Sequence, residues 1–114
     1  LLFRFSPGGM PKEEANMNNR NKRSDPSHRL YDAVLSLQNK QECYQFFMDL
    51  CTPQELQAME QRFEVAWLLH KGMKYNDILE RTGASSATIS RVNRSLLGGT
   101  GTYDKVFAQL EEDV

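Results

Sequence analysis

Residues 74 to 97 read Lys-Tyr-Asn-Asp-Ile-Leu-Glu-Arg-Thr-Gly-Ala-Ser-Ser-Ala-Thr-Ile-Ser-Arg-Val-Asn-Arg-Ser-Leu-Leu. Four hydroxyls, an alanine methyl and two guanidiniums fall within the run from Ser85 to Arg94. At helical spacing Ile89, Val92 and Leu96 share one side, and Ser86, Ala87, Thr88, Ser90, Arg91 and Arg94 share the other. That second side carries the groups a major-groove reader uses. Small side chains at a helix start let the backbone come close to base edges. Hydroxyls donate or accept, a Thr or Ala methyl meets a thymine methyl, and arginine bonds guanine or phosphate. The free N–H groups of the same helix start favour a nearby phosphate. Ser85 belongs to this DNA-facing set and is also the natural N-cap. An ordinary helical hairpin with a solvated polar face is the competing interpretation.

Such a helix must be held out from the body of a protein. A short preceding helix, about Tyr75 to Arg81, is expected to bury Ile78 and Leu79. Gly83 supplies the positive φ of a tight inter-helix turn. Upstream, Leu30, Tyr31, Val34, Leu35 and Leu37 follow a 3.6-residue period, with Asp25 or Ser27 as N-cap. A break at Asn39 leads to a second helix, Gln41 to Leu50. Thr52-Pro53-Gln54-Glu55 is a start signal, with a cap, a proline at the first helical position and an acid to bond back. The third helix so begun carries Leu56, Met59, Phe63, Ala66 and Trp67 on one stripe and stops at Lys71-Gly72. Gly98-Gly99 ends another helix, and a last one, roughly Tyr103 to Val114, aligns Val106, Phe107, Leu110 and Val114. No strand-like alternation is present. The fold class is all-α.

The second helix holds Cys43, Tyr44, Phe46, Phe47, Met48 and Leu50 within eight residues. Apolar groups pointing in nearly every direction require cover in every direction. So short a chain has too few other helices to supply it, and a homodimer is the commonest remedy. The domain organisation expected is a disordered basic tail over 1–26 and a helical DNA-binding domain over 27–114. Met10 and Met17 are candidate native starts.

The chain has 114 residues, 39% hydrophobic and 25% charged, with a formal net charge of −1. A generic polyanion binder would be more basic. The segment 74–97, however, sets Lys74, Arg81, Arg91 and Arg94 against only Asp77 and Glu80, which allows local phosphate contact. No run approaches the ~20 apolar residues of a membrane span. The Leu1-Leu2-Phe3-Arg4-Phe5 start is too short for a signal-peptide core. A cytoplasmic location is expected. Cys43 and Cys51 lie too far apart along a helical pattern to bridge, and with His28 and His70 they lack zinc-site spacing.

The run Leu50-Cys51-Thr52-Pro53, then Arg62, Leu68-Leu69-His70-Lys71-Gly72, Thr82-Gly83-Ala84, Ala87-Thr88-Ile89-Ser90-Arg91 and Ser95-Leu96 resembles the Trp repressor family. With Glu42-Cys43-Tyr44, Phe46-Phe47 and Gly83-Ala84-Ser85 it is most similar to the YerC/YecD-type branch. The resemblance covers about residues 29 to 110. It implies six helices, an intertwined homodimer, and the fourth and fifth helices as the pair that reads double-stranded DNA. It adds Tyr75 and Asn76 to the DNA-facing residues, and places Leu79 among positions where the family's best-known members are polar or basic. It also implies a corepressor pocket at Thr52, Arg62, Arg91 and Ser95. Val92 stands where the family has glycine beside the second arginine, and a branched side chain there is expected to obstruct an indole. L-tryptophan or another small effector is thus left open, and the operator sequence does not carry over.

The function expected is a sequence-specific transcriptional regulator, a repressor, on a near-palindromic operator. The alternative is a helical protein-interaction scaffold, itself a dimer, without DNA contact. An enzyme is disfavoured: no nucleophile–base pair is evident, and Gly98-Gly99-Thr100-Gly101 lacks the Lys-Ser/Thr of a phosphate-binding loop.

Overall fold

The computed structural model of the chain describes residues 25–112, and the expectations for residues 1–24 and for Val114 lie outside them. Among the described residues six helices follow one another: α1 Pro26–Leu35, α2 Lys40–Leu50, α3 Pro53–His70, α4 Tyr75–Thr82, α5 Ser86–Gly98 and α6 Thr102–Glu112. Among the described residues there is no strand. The helices fall into two units, one ending at Leu50 and one beginning at Cys51.

In the first unit, local polar chemistry sets the helix starts. The Asp25 carboxylate accepts from the Ser27 N–H at 3.0 Å, which settles the cap of α1 in favour of Asp25. Asn39 Oδ1 accepts from the Glu42 N–H at 2.9 Å, and the Glu42 carboxylate accepts from the Gln38 N–H at 2.8 Å. This reciprocal pair closes the break between α1 and α2. No residue of either helix is buried. Leu35 is 83% exposed, and Tyr44, Met48 and Leu50 are exposed as well. Phe46 and Phe47 meet edge-on at 5.4 Å.

The second unit has the interior. Thr52 and Glu55 form the complete capping box at the head of α3, and Gly72 leaves that helix at φ 88°. Val65, Ala66, Leu68, Ile78, Ala84, Ile89, Val92 and Phe107 form one buried cluster, with Phe63, Trp67, Leu69 and Leu96 packed against it. Leu56 and Met59 of the expected α3 stripe are not in it, because α3 carries its buried residues in its C-terminal half. Leu79 is also exposed rather than buried. One turn of α4 can turn only one of two adjacent residues inward, and Ile78 takes that place. Phe107 of α6 is fully buried, with rings of Phe63, Trp67, His70 and Tyr103 at centroid distances of 5.7, 5.4, 4.6 and 5.4 Å.

The end of α6 is pinned to the end of α3 by charge. The Glu111 carboxylate accepts from Lys71 Nζ at 2.8 Å and lies 3.2 Å from His70 Nε2. The Lys71 hydrogen bond, and then that of His70, holds the Glu111 carboxyl below its ordinary value of 4.5. A depressed carboxylate stabilises the fold above its unfolded value, and the contribution is lost as pH falls through the folded one. The melting temperature of the chain is therefore expected to fall more steeply below pH 4.5 than that of Glu111→Gln. Parallel melting curves for the two proteins would contradict this.

Candidate nucleic-acid interface

The geometry of α4 and α5 is fixed by the three residues that join them, Gly83, Ala84 and Ser85, and by Thr82 before them. Gly83 takes φ 75°, and its N–H bonds the Leu79 carbonyl at 2.9 Å. A side chain there would meet nothing within 4 Å, so the constraint is the left-handed backbone alone. Thr82 ties the turn twice, donating to the Ile78 carbonyl at 2.8 Å and accepting from the Ala84 N–H at 3.1 Å. Gln61 of α3 donates to the Thr82 carbonyl at 3.1 Å. Sequence reasoning missed Gln61, since nothing in its spacing distinguishes it from any solvated glutamine. Ala84 is buried, so Thr82→Val leaves its N–H without the hydroxyl partner. The expected cost is about 1–3 kcal/mol of stability, measured by denaturant titration; a cost below about half a kcal/mol would show that the turn does not depend on Thr82.

Ser85 caps α5, accepting from the Thr88 N–H at 3.1 Å. Its hydroxyl also donates to Thr88 Oγ1 at 3.1 Å, so the Thr88 hydroxyl keeps its own hydrogen for an outside acceptor. Ile89 and Val92 are buried and anchor the helix. Ser86, Ala87, Arg91 and Arg94 are exposed, Thr88 and Ser90 half-buried, and Tyr75 and Asn76 exposed in the first turn of α4.

Ala58, Gln61 and Arg62 of α3 and Ala87, Thr88, Arg91 and Arg94 of α5 line one cleft of about 440 Å³. Arg62 and Arg91 are thus brought together. Thr52 is absent from the lining, and Ser95 instead lines a second cavity with Phe63 and Tyr103. Val92 is 3% exposed, part of the core, and not among the residues that line this cleft. The helix directs that position inward next to Ile89.

Charge on this face is uncompensated. Among the described residues the ion pairs are His28–Asp25, His70–Glu111 and Lys71–Glu111. Arg62, Arg91 and Arg94 take part in none. No group of His, Cys, Asp and Glu among the described residues could hold a metal ion. Cys43 and Cys51 are free thiols.

A capped helix with an outward row of hydroxyls and free guanidiniums, held by a rigid glycine turn, is a helix-turn-helix. The family model for the Trp repressor protein matches residues 27–111. The chain belongs to the Trp repressor family. The protein YerC of Bacillus subtilis is 46% identical over 84 residues, which is 74% of this chain and 81% of YerC. A TrpR-like protein from Eubacterium eligens superposes with a TM-score of 0.73 at 49% identity, covering 81% of this chain and 96% of that one. A solved chain from Staphylococcus aureus gives a TM-score of 0.73 at 45% identity, over 75% of this chain and 86% of that one. Trp repressor family members are DNA-binding regulators and not enzymes. No helix among the described residues is long and apolar enough to cross a membrane.

Proposed function

We propose that the chain is a homodimeric, cytoplasmic repressor that recognises a near-palindromic operator, with the region from residue 27 onward as the DNA-binding domain. Its base-reading and phosphate-binding residues are Tyr75, Asn76, Ser85, Ser86, Ala87, Thr88, Ser90, Arg91 and Arg94. The observation that carries this is the exposed face of α5, where hydroxyls and unpaired arginines stand on a helix anchored by Ile89 and Val92. Ser85 contributes by capping, which leaves Thr88 as a donor toward base-edge acceptors. A second copy is the cover that the apolar residues of α1 and α2 call for, since none of them is buried. A small molecule in the cleft beside Arg62 and Arg91 is the natural modulator, with Thr52, Val92 and Ser95 outside its lining.

Selection of bound duplexes from a random pool tests the reading. Two half-sites should emerge with centres about 34–36 Å apart, the spacing of dimeric helix-turn-helix proteins, the Trp repressor itself among the known cases. Affinity for the selected duplex should fall steeply with salt as counterions are released. Enrichment of no sequence, with a chain that still sediments as a dimer, would favour the scaffold alternative.

A further inference from the structure

α3 buries Val65 and Leu68, and Gln61 stands one turn earlier on that same face. Its Nε2 donates to the Thr82 carbonyl at 3.1 Å, a half-buried bond across 21 residues of sequence. Thr82 is the last residue of α4, and its carbonyl is one of those a helix end leaves without an intrahelical partner. Among the described residues this is the one hydrogen bond that joins α3 to α4, to α5 or to the turn between them. The buried attachment is otherwise apolar, with Ile78, Ala84, Ile89 and Val92 clustered with Val65, Ala66 and Leu68.

The two kinds of contact constrain different things. Apolar burial is non-directional, so it holds α4 and α5 down on α3 but tolerates small rotations. A hydrogen bond weakens steeply once its angle falls below about 120°, so it resists rotation at the point where it acts. That point is the turn from which Ser86, Ala87 and Thr88 follow directly. Bonds from such side chains to base edges have the same narrow geometry, with donor–acceptor distances of about 2.7–3.2 Å. Arginines on long flexible stems tolerate larger displacements from a phosphate, because Coulomb attraction falls slowly with distance.

We infer that Gln61 is a positioning residue for base reading. Acting through the Thr82 carbonyl, it fixes the angle at which α4 and α5 are presented, so that its loss lowers sequence discrimination and leaves general DNA affinity in place. The effect on discrimination rests on the DNA reading above; the tether itself does not.

Gln61→Met keeps the length of the side chain and removes the donor, and Gln61→Asn keeps the amide but falls one methylene short. Each is compared with the unaltered chain for affinity toward the selected duplex and toward a random duplex of equal length, at the same salt concentration. The ratio of the two affinities should fall at least tenfold in both variants. Random-duplex affinity should stay within twofold, with melting curves showing that the variants fold. Gln61→Lys restores a donor of sufficient reach and should recover most of the ratio, in which its added charge cancels. In the DNA-free protein, amide hydrogen exchange at Gly83 and Ala84 should quicken at least fivefold in Gln61→Met, with exchange at Leu68 in α3 unchanged. An unchanged ratio in a folded variant, or equal weakening toward both duplexes, overturns the positioning role. Unchanged exchange at the turn overturns the tether. Quickened exchange in a protein that selects no duplex upholds the tether and overturns the base-reading role together with the DNA reading.

Discussion

Replacing Arg91 and Arg94 together by glutamine is expected to weaken every duplex alike, selected or random, while the fold stays intact. Neither guanidinium has a protein partner among the described residues, and both are exposed, so no internal contact is lost. Hydrogen bonds to charged groups contribute about 1.5–3 kcal/mol each. In the homodimer proposed above, two arginines per protomer place the expected loss of affinity at a hundredfold or more. The salt dependence separates this from a loss of base reading. For each phosphate contact removed, the slope of log affinity against log salt should flatten by roughly 0.9. Thr88→Val is the contrasting case, because it removes a hydroxyl of unchanged net charge. It should relax preference at one position of each half-site by about 1–3 kcal/mol and leave the salt slope as it was. An unchanged slope in the arginine double variant would show that these groups do not touch the backbone.

Phe107→Ala is expected to have the largest effect on stability. The ring is fully buried and touches four aromatic neighbours, three on α3 and one on its own helix. Truncating a buried phenylalanine costs about 3–5 kcal/mol. At roughly 4–8 °C per kcal/mol for a small domain, the melting temperature should drop by more than about 12 °C. Val106→Ala on the same helix serves as the comparison, since Val106 is 37% exposed and should cost far less. Equal losses for the two would show that the α3–α6 aromatic cluster does not carry the interior of the second unit.

Sequence made the element starts legible because their signals are local. Thr52 and Glu55, Ser85, and the positive-φ exits at Gly72 and Gly83 each act within four residues, and each stands where the spacing predicts. Which face of α3 is buried was less legible. Its apolar residues nearly encircle the helix, so periodicity alone could not choose between the Leu56–Met59 end and the Val65–Leu68 end. Leu79 was misplaced for a related reason: two adjacent apolar residues on a short helix cannot both face inward. The burial of Val92 is likewise set by the tertiary packing of α5 and not by its neighbours in sequence. Gln61 reaches the turn across 21 residues of sequence, a pairing only the tertiary structure discloses.

Residues 25–50 contain two well-capped helices and no buried residue in either. Capping chooses where a helix starts but contributes little against the entropy of ordering it. The order of α1 and α2 must then be borrowed from whatever surface covers them, and it is lent only while that surface is near. Dilution should accordingly loosen this end of the molecule first, with proteases cutting before Leu50 while the helix-turn-helix is still protected.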